Sequence, residues 1–479
     1  MKVETLTTGD GGPVDFGSFV EYNQETKEAR IKRVALTSPE IFDMEMRYIF
    51  EGNWIYLCHE DQVPEVGDFF TTTMGRQPVV VIRNKAGKVN GFLNACSHKG
   101  TTLCRTQQGN KASGFACSYH DWCFDLDGNL EYMPRMDEGF PEDKNLANHN
   151  LTKIAKVESH GGFIFGSLNP EVSSLREHLG DITEIIDMLN DQSEEGFEVV
   201  RGTNTCVYHG NWKLLIENGG GDGLHLPSVH KTLIKVVQMR DEELNKGKTK
   251  AAKMVRVDEL NDKDTVGATY AMQNGHTLIQ SDLPNPEDRP AYAQHETFVE
   301  RHGKERARWM TSKVRQVAIY PNLFIMDQLA SLIRYVRPIS VDRTEVSYWC
   351  IAPKGESREL RVKRMRQFMD FFSIAGLGVQ RQVGAEDLGV DPGLVTGGAG
   401  GDDPGEIAVH RHLVAALPDA PAQAARDVEP VEREHPPSLR IDPEDAVVIC
   451  AVRHREDAGR IGPDHQLRGQ SRPGRGKHV

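Results

Sequence analysis

The sequence predicts an α+β fold in which a small all-β domain precedes a larger mixed domain. Two strand-like runs, 78–82 and 89–93, flank a turn-like segment, which is typical of a β-hairpin. Helix-like segments at 177–190 and 359–372 enclose further strand-like runs, as in domains whose helices pack on an antiparallel sheet. A chain of 479 residues is long enough for two or three domains.

Composition and charge exclude several classes of protein. The 57 basic and 70 acidic side chains give a net charge of −13, which argues against a nucleic-acid binder. No apolar run has the length of a signal peptide core or of a membrane span, so we expect a cytoplasmic protein that inserts in no membrane. The eight cysteines are too few for a disulfide framework in a chain of this size.

Taken in order, the elements begin with an N-terminal helical segment, 1–52. Ser38 and Pro39 form a typical helix start, because serine caps the helix and proline suits its first turn. Gly52 is a plausible end. From there to residue 165 the short strands predict a β domain that carries metal-binding loops at its hairpin tips.

Within the β domain, two loops carry a mixed set of metal ligands. Cys96 and His98 form the first pair and Cys117 and His120 the second, and 18 residues separate His98 from Cys117. Two thiolates and two imidazoles are the ligand set of a Rieske [2Fe–2S] cluster, in which histidines replace cysteines on one iron. The alternative is a structural zinc site, although zinc-binding sequences usually pair cysteine with cysteine and histidine with histidine. Since four ligands are already present, we expect Cys104 and Cys123 to be packed or partly exposed thiols.

A second constellation follows a helix that opens near Asn211. Asp222, His225 and His230 have the spacing D-x2-H-x4-H. The two imidazoles can converge on one metal only if Pro227 bends or breaks the helix between them. Two histidines and a carboxylate form the facial triad of mononuclear non-heme Fe(II). The alternative is a pair of structural histidines near a surface loop.

The composition changes abruptly in the last segment, 379–479. This segment lacks Phe, Tyr, Trp, Met and Asn, contains a single lysine, and is rich in Arg, Pro, Gly and Ala. Such a segment buries too little apolar surface to fold, which predicts a disordered tail. Its residue types are mostly encoded by GC-rich codons, so the alternative is a segment read out of frame.

Taken together, the two constellations resemble those of the large (α) subunit of Rieske aromatic-ring-hydroxylating dioxygenases. Four further stretches resemble the benzoate, toluate and anthranilate 1,2-dioxygenase branch: PEIFDMEMRYIFEGNWIYLCHE from Pro39, NACSHKGTTLCR from Asn94, IYPNLFIMDQ from Ile319 and RPISVDRTEV from Arg337. The resemblance covers about 35–378. It implies a Rieske domain over 53–165, a helix-grip catalytic domain with an antiparallel sheet over 166–378, and an α3β3 hexamer with a small β subunit.

The resemblance also implies roles for individual residues. It assigns the cluster ligands named above, with Trp122 packed beside them, and makes His225 and His230 ligands of the mononuclear iron. Asp222 matches the carboxylate that links the cluster of one subunit to the iron of its neighbour. The third iron ligand departs from the family pattern: 379–382 occupies its expected place, and Asp387 is the nearest substitute. Asp121 is a second departure, because the family usually has glycine there.

The implied activity is dioxygenation of an aromatic carboxylate with O2. Electrons would come from NADH through a reductase that carries FAD and its own [2Fe–2S] centre. Two alternatives remain open at this point. One is a Rieske monooxygenase, such as an aromatic O-demethylase. The other is a catalytically impaired electron-transfer subunit that lacks the third iron ligand.

Overall fold

The computed structural model describes residues 19–23, 29–139, 145–223, 267–328 and 330–372, some residues between 235 and 247, and the backbone of 406–409 and 447–451. All strand pairs between the named strands of these residues are antiparallel, and helices accompany the largest sheet. The predicted α+β class is therefore confirmed. No helix among these residues is long and apolar enough to cross a membrane.

The helices confirm most of the predicted helical segments. Their bounds are α1 (Val34–Thr37), α2 (Pro39–Glu45), α3 (Met136–Gly139), α4 (Leu175–Leu179), α5 (Ile182–Asn190), α6 (Trp212–Gly220), α7 (His295–His302), α8 (Lys304–Thr311) and α9 (Arg358–Phe372). The predicted start of α2 is correct: the Ser38 hydroxyl accepts a hydrogen bond from the Ile41 N–H at 3.2 Å, and Pro39 is the first helical residue. A π-helical turn, Met46–Phe50, continues α2 towards Gly52.

The continuous helix expected over 177–190 is instead two helices. Gly180 lies between α4 and α5 with a φ of +51°, in the left-handed region that a side chain disfavours. The apolar periodicity of the sequence continued through this glycine and concealed the break.

The N-terminal strands and the β domain contain twelve strands among the described residues. They are β1 (Val20–Tyr22), β2 (Ala29–Lys32), β3 (Ile55–His59), β4 (Asp68–Met74), β5 (Gln77–Arg83), β6 (Val89–Leu93), β7 (Gln108–Asn110), β8 (Phe115–Ala116), β9 (Cys123–Phe124), β10 (Leu130–Tyr132), β11 (Lys156–His160) and β12 (Phe163–Ser167). The sheet orders are β6-β5-β4-β7, β10-β9-β8 and β11-β12-β3. The β5–β6 pair is the predicted hairpin, and the Asn84 side chain closes its turn by accepting the N–H groups of Ala86 and Lys88.

A large antiparallel sheet follows the β domain. Its strands, and two short strands of the C-terminal segment, are β13 (Phe197–Val199), β14 (Asn204–Tyr208), β15 (Gly267–Ala271), β16 (Thr277–Asp282), β17 (Lys313–Ile319), β18 (Leu323–Asp327), β19 (Ser331–Ser340), β20 (Arg343–Pro353), β21 (Glu406–Val409) and β22 (Val447–Ala451). The order is β13-β20-β19-β18-β17-β16-β15-β22, β14 pairs with β20, and β21 pairs with β2. Most of segment 379–479, predicted as a tail, lies outside the described residues.

Helices cover both faces of this sheet. On one face, Gly219 and Gly220 of α6 lie so close to the strands that an added Cβ would approach Phe324 to 2.7 Å and the Thr277 hydroxyl to 2.7 Å. On the other face, Gln192 at the end of α5 donates to Asp327, and Arg364 of α9 donates to Ser331. Helix α6, which leads to Asp222, therefore lies on the sheet face opposite to that covered by α5 and α9.

The β domain is joined to the large sheet through β3. The Tyr56 N–H donates to the Asn322 side chain at 2.9 Å, and the Asn322 amide donates back to the Tyr56 carbonyl at 3.1 Å. Strands β3 and β12 contribute to the same apolar core as the large sheet, whereas the metal loops lie on a separate core around Phe92 and Phe115. The two metal loops therefore pack on a hydrophobic core that is separate from that of the large sheet.

A buried histidine pair lies where α4 meets the large sheet. The ring centroids of His178 and His276 are 4.8 Å apart. The His276 Nδ1 atom accepts the Tyr320 N–H at 3.0 Å, and its Nε2 atom donates to the His178 carbonyl at 2.8 Å. Burial lowers the pKa of His178 to about 4 and that of His276 to about 3. Both imidazoles are therefore neutral in the folded protein at pH 7.

We expect these histidines to make the protein acid-sensitive. The unfolded chain takes up protons below pH about 6.5 and the folded chain does not, so the free energy of unfolding falls as pH drops from 7 towards 4. Each histidine contributes up to about 1.4 kcal/mol per pH unit in that range. Urea unfolding at several pH values measures the slope. His276→Gln should reduce the slope of the unfolding free energy against pH. The control His209→Gln changes an exposed histidine and should leave the slope unchanged. Equal slopes in the two variants would show that the buried histidines do not cause the acid sensitivity.

Candidate functional site

The first metal loop follows directly from the hairpin strand β6. The Asn94 side chain fixes its base, accepting the Cys104 N–H at 2.9 Å and donating to the Cys104 carbonyl at 2.8 Å. The Cys96 N–H donates to the Thr101 carbonyl at 2.8 Å, so the intervening residues form a compact turn. Cys104 is a packed thiol, as predicted, and burial raises its pKa to about 11. Its backbone, which the sequence did not single out, closes the loop.

The second metal loop is closed by its own backbone. The Cys117 N–H donates to the Trp122 carbonyl at 2.9 Å, and the Asp121 N–H donates to the Cys117 carbonyl at 3.0 Å. This tight turn places Asp121 at a φ of +55°, in the left-handed region. Glycine adopts that region without strain, which gives a physical reason for the glycine that the resemblance leads us to expect here, and aspartate is among the side chains that tolerate it best.

The two loops bring all four predicted ligands of the cluster together. The thiols of Cys96 and Cys117 are buried and lie within hydrogen-bonding distance of each other. The rings of His98 and His120 are in edge-on contact with centroids 4.5 Å apart and an interplanar angle of 61°, His98 half-buried and His120 exposed. The sulfurs thus point into the domain and the imidazoles towards its surface.

The two sulfurs have different environments, and that of Cys117 favours a thiolate. Burial raises the pKa of Cys96. Burial acts in the same direction on Cys117, but N–H groups of Tyr119 and His120 and the Thr101 hydroxyl donate to its sulfur and lower its pKa overall. Donors of this kind around a sulfur stabilise negative charge on it. Thr101 was not identified from the sequence, because one hydroxyl in a loop gives no recognisable pattern.

Aromatic side chains hold the histidine edge of the site. The Trp122 ring stacks on His98 with centroids 4.6 Å apart and an interplanar angle of 6°, and its expected packing against a cluster stays a prediction. The His149 ring packs against Trp122 in a T-shaped contact with centroids 5.6 Å apart, and the His149 carbonyl accepts the Ser97 hydroxyl at 2.6 Å. His149 was missed in the sequence because no motif connects it to the loops.

The four ligands form a buried thiol pair and an imidazole pair nearer the surface. A tetrahedral zinc site takes its four side chains around a single metal ion. A Rieske cluster instead takes two sulfurs at one iron and two nitrogens at the other, which matches a thiol pair and an imidazole pair.

The second constellation begins at α6. The Asn211 side chain caps this helix by accepting the Lys213 N–H at 3.1 Å, and its amide donates to the carbonyls of Leu36 and Val341. Buried Glu45 accepts the Trp212 indole N–H at 2.8 Å and pairs with Lys213. The predicted helix start is confirmed, and these contacts anchor it to the N-terminal segment.

Asp222 lies just beyond the last turn of α6. Its backbone N–H donates to the Glu217 carbonyl at 3.2 Å, and the residue is partly buried. The predicted iron ligands His225, His230 and Asp387 lie outside the described residues. Their assignment therefore stays a prediction.

Comparison with known proteins identifies the family. Residues 53–155 match the model of the Rieske [2Fe-2S] domain, and residues 197–411 match that of the ring hydroxylating alpha subunit catalytic domain. The toluate 1,2-dioxygenase alpha subunit of Pseudomonas putida is 44% identical over 362 residues, 75% of this chain and 78% of that protein. The chain belongs to the ring-hydroxylating alpha-subunit family. The second match runs past residue 378, where the resemblance was expected to stop.

Two other relatives of this alpha subunit have comparable similarity. The 2-halobenzoate 1,2-dioxygenase large subunit of Burkholderia cepacia is 44% identical over 73% of this chain and 74% of its own length. The anthranilate 1,2-dioxygenase large subunit of Acinetobacter baylyi is 40% identical, with the same coverage of both chains. These matches support a dioxygenase that carries a Rieske cluster and a mononuclear iron.

Solved structures of more distant proteins share the fold. Naphthalene 1,2-dioxygenase from Rhodococcus sp., bound to indole, superposes with a TM-score of 0.66 at 24% identity, covering 74% of this chain and 80% of that one. Another naphthalene 1,2-dioxygenase with indole in its active site gives a TM-score of 0.62 at 26% identity, covering 76% and 81%. The arrangement of a β domain beside a large antiparallel sheet is thus that of ring-hydroxylating dioxygenases.

Proposed function

We propose that this alpha subunit adds both atoms of O2 to the ring of an aromatic carboxylate of benzoate or anthranilate type. The supporting observation is its 40–44% identity to large subunits named for toluate, 2-halobenzoate and anthranilate. Each of those compounds is an aromatic ring that bears a carboxylate. In this reaction the aromatic ring, O2, NADH and one proton are converted to a cis-dihydrodiol and NAD⁺. With anthranilate, the diol would lose ammonia and CO2 to give catechol.

The four side chains of the two metal loops would hold the Rieske cluster. When bound, the cluster supplies one-electron transfer, at a potential raised by its histidine ligands. Cys96 and Cys117 would hold it from the buried side, where loop N–H groups donate to their sulfurs and would stabilise negative charge there. His98 and His120 present the opposite edge at the surface, where electrons can enter and leave.

Asp222 would connect the cluster to the second metal site of a neighbouring subunit. A carboxylate at this position can accept a hydrogen bond from a ligand imidazole, which fixes the tautomer of that ring. Its location at the end of α6, ahead of His225 and His230, suits this role. With Asp387, these histidines would complete the facial triad, which supplies open coordination positions for O2 chemistry.

Members of the family act with electron-delivering proteins, and we propose specific partners. A reductase that carries FAD and a [2Fe–2S] centre would take electrons from NADH. A small β subunit would complete an α3β3 hexamer, so that the Asp222 of one subunit can reach the cluster of the next.

Labelled oxygen tests the reaction type. The oxygenase, reconstituted with its reductase and NADH, is supplied with benzoate under ¹⁸O2, and the product is analysed by mass spectrometry. We expect a cis-dihydrodiol in which both added oxygens carry the label. Incorporation of a single labelled atom would instead establish the monooxygenase alternative.

Iron analysis addresses the impaired-subunit alternative. A complete enzyme should contain three irons per alpha chain, two in the cluster and one at the mononuclear site. Two irons per chain together with an absence of turnover would show that the third ligand is missing and would contradict the proposed activity.

A further inference from the structure

Arg334 is a buried arginine in the middle of the large sheet. It lies on β19, and only 2% of the residue is exposed. It is directly opposite Phe324 of β18 and Tyr348 of β20, so all three side chains share one face. Its guanidinium carbon is 5.0 Å from the Phe324 ring centre and 5.8 Å from that of Tyr348. The cation is therefore enclosed by two aromatic rings.

Arg334 differs from the other buried arginines in having no counter-ion. Arg289 and Arg315 pair with Asp327, and Arg364 pairs with Glu356. Among the residues that the structure describes, no carboxylate forms an ion pair with Arg334, and its Nε and Nη2 atoms have no hydrogen-bond partner. Two donors of a permanently charged group are thus buried and unused.

An arrangement of this kind is costly unless an anion occupies it. Arginine stays protonated in proteins, so it cannot escape burial by losing its charge. Burying a charge without a partner costs several kcal/mol, and cation–π contacts with two rings recover only part of that. A carboxylate matches the guanidinium fork and can accept two parallel hydrogen bonds from it.

Arg334 also lies beside the helix that leads to the candidate iron site. An added Cβ on Gly219 would come within 3.3 Å of the Arg334 Nη1 atom. Gly219 belongs to the last turn of α6, three residues before Asp222. The Gly219 carbonyl accepts a hydrogen bond from the Gln316 side-chain amide, and the Gln316 carbonyl oxygen accepts one from Gln328. The Gly219 carbonyl oxygen therefore already has a donor other than Arg334. The guanidinium thus lies close to this turn with two of its donors unused.

We propose that Arg334 binds the carboxylate of the aromatic substrate. This assignment rests on the proposed function and deepens it, because it explains how a ring bearing a carboxylate is distinguished from a neutral ring. Phe324 and Tyr348 hold the guanidinium in place from either side. A substrate carboxylate supplies the missing negative charge, and the aromatic ring is thereby placed with respect to the end of α6.

Comparing a charged and a neutral ligand tests this role. Benzoate and benzamide have nearly the same shape, and only benzoate carries the charge. Affinities are measured by equilibrium dialysis on the complete oxygenase, so the result does not depend on turnover. We expect Arg334→Met to weaken benzoate binding by about 10–100-fold, the loss of charge-assisted hydrogen bonds, and to change benzamide binding by less than about threefold. Arg334→Lys should retain part of the preference for benzoate.

Arg337→Gln is the matched control. Arg337 is on the same strand, but it pairs with Glu345 in a partly exposed ion pair. We expect this variant to bind both ligands as the wild type does. The thermal midpoint of each variant shows whether it is folded, and if Arg334→Met is not, the lysine variant alone must show selective weakening of benzoate binding.

The failure of this inference can be distinguished from failure of the proposed function. Equal weakening of benzoate and benzamide in the Arg334 variants would show that Arg334 only supports the end of α6, as a cation near a helix C-terminus can. Unchanged benzoate affinity would also overturn the assignment. A wild-type enzyme that neither binds nor oxidises aromatic carboxylates would refute the proposed function itself.

Discussion

Cys96→Ser yields an oxygenase without a Rieske cluster. We expect the purified variant to lose its visible absorption and its EPR signal after reduction, and NADH-dependent turnover to be abolished. The reason is that the buried sulfur of Cys96 faces that of Cys117, and a serine hydroxyl is a far poorer ligand for iron than a thiolate. Iron content should fall by two per chain.

Cys123→Ser is the matched control for this experiment. Cys123 is in the same domain, half-buried, and its thiol contacts the Asp121 carbonyl at 3.4 Å rather than the facing pair of thiols. The variant should keep its colour and its EPR signal. If the Cys96 variant retained a full cluster signal, the ligand assignment would be wrong. A colourless wild-type protein that contains zinc would favour the alternative metal site.

Asp222→Asn is the second variant for which we expect a large effect. The cluster and the iron content should be unchanged, and reduction by the reductase should be normal. Turnover should fall about 10–100-fold or more, as for other groups that orient metal ligands through hydrogen bonds. The amide keeps the size of the side chain but loses the charge that would hold the proton of a ligand imidazole.

Reoxidation of the cluster separates this role from a purely structural one. The reduced variant, mixed with substrate and O2, should reoxidise its cluster slowly, whereas wild-type reoxidation is fast. Asp222→Glu keeps the carboxylate and should recover part of the rate. Normal reoxidation in the asparagine variant, with turnover lost for another reason, would contradict the proposed link between the two metal sites.

Several features were predictable because they depend on residues close in sequence. Serine followed by proline begins α2 where expected, and two strand-like runs around a turn form the β5–β6 hairpin. The four cluster ligands were recognisable because each loop supplies a cysteine and a histidine within four residues. In such cases one short segment contains both the signal and the physical cause.

Other features depend on residues far apart in sequence and were not predicted. His149 reaches the metal loops only because Ser97 and Trp122 contact it after folding. Arg334 gives no signal in the sequence, where the surrounding run SLIRYVRPIS looks like an ordinary strand. Its isolation from carboxylates appears only when three strands and α6 are assembled.

The sequence by itself therefore determined the α+β class and the family of the protein and indicated a candidate ligand set, because ligand chemistry and periodicity are local properties. The tertiary structure decided which groups surround those ligands. It placed donors around the sulfurs, a tryptophan against His98, and an uncompensated cation beside α6. Burial and charge pairing are properties of the packed chain, because they depend on which distant side chains exclude water together.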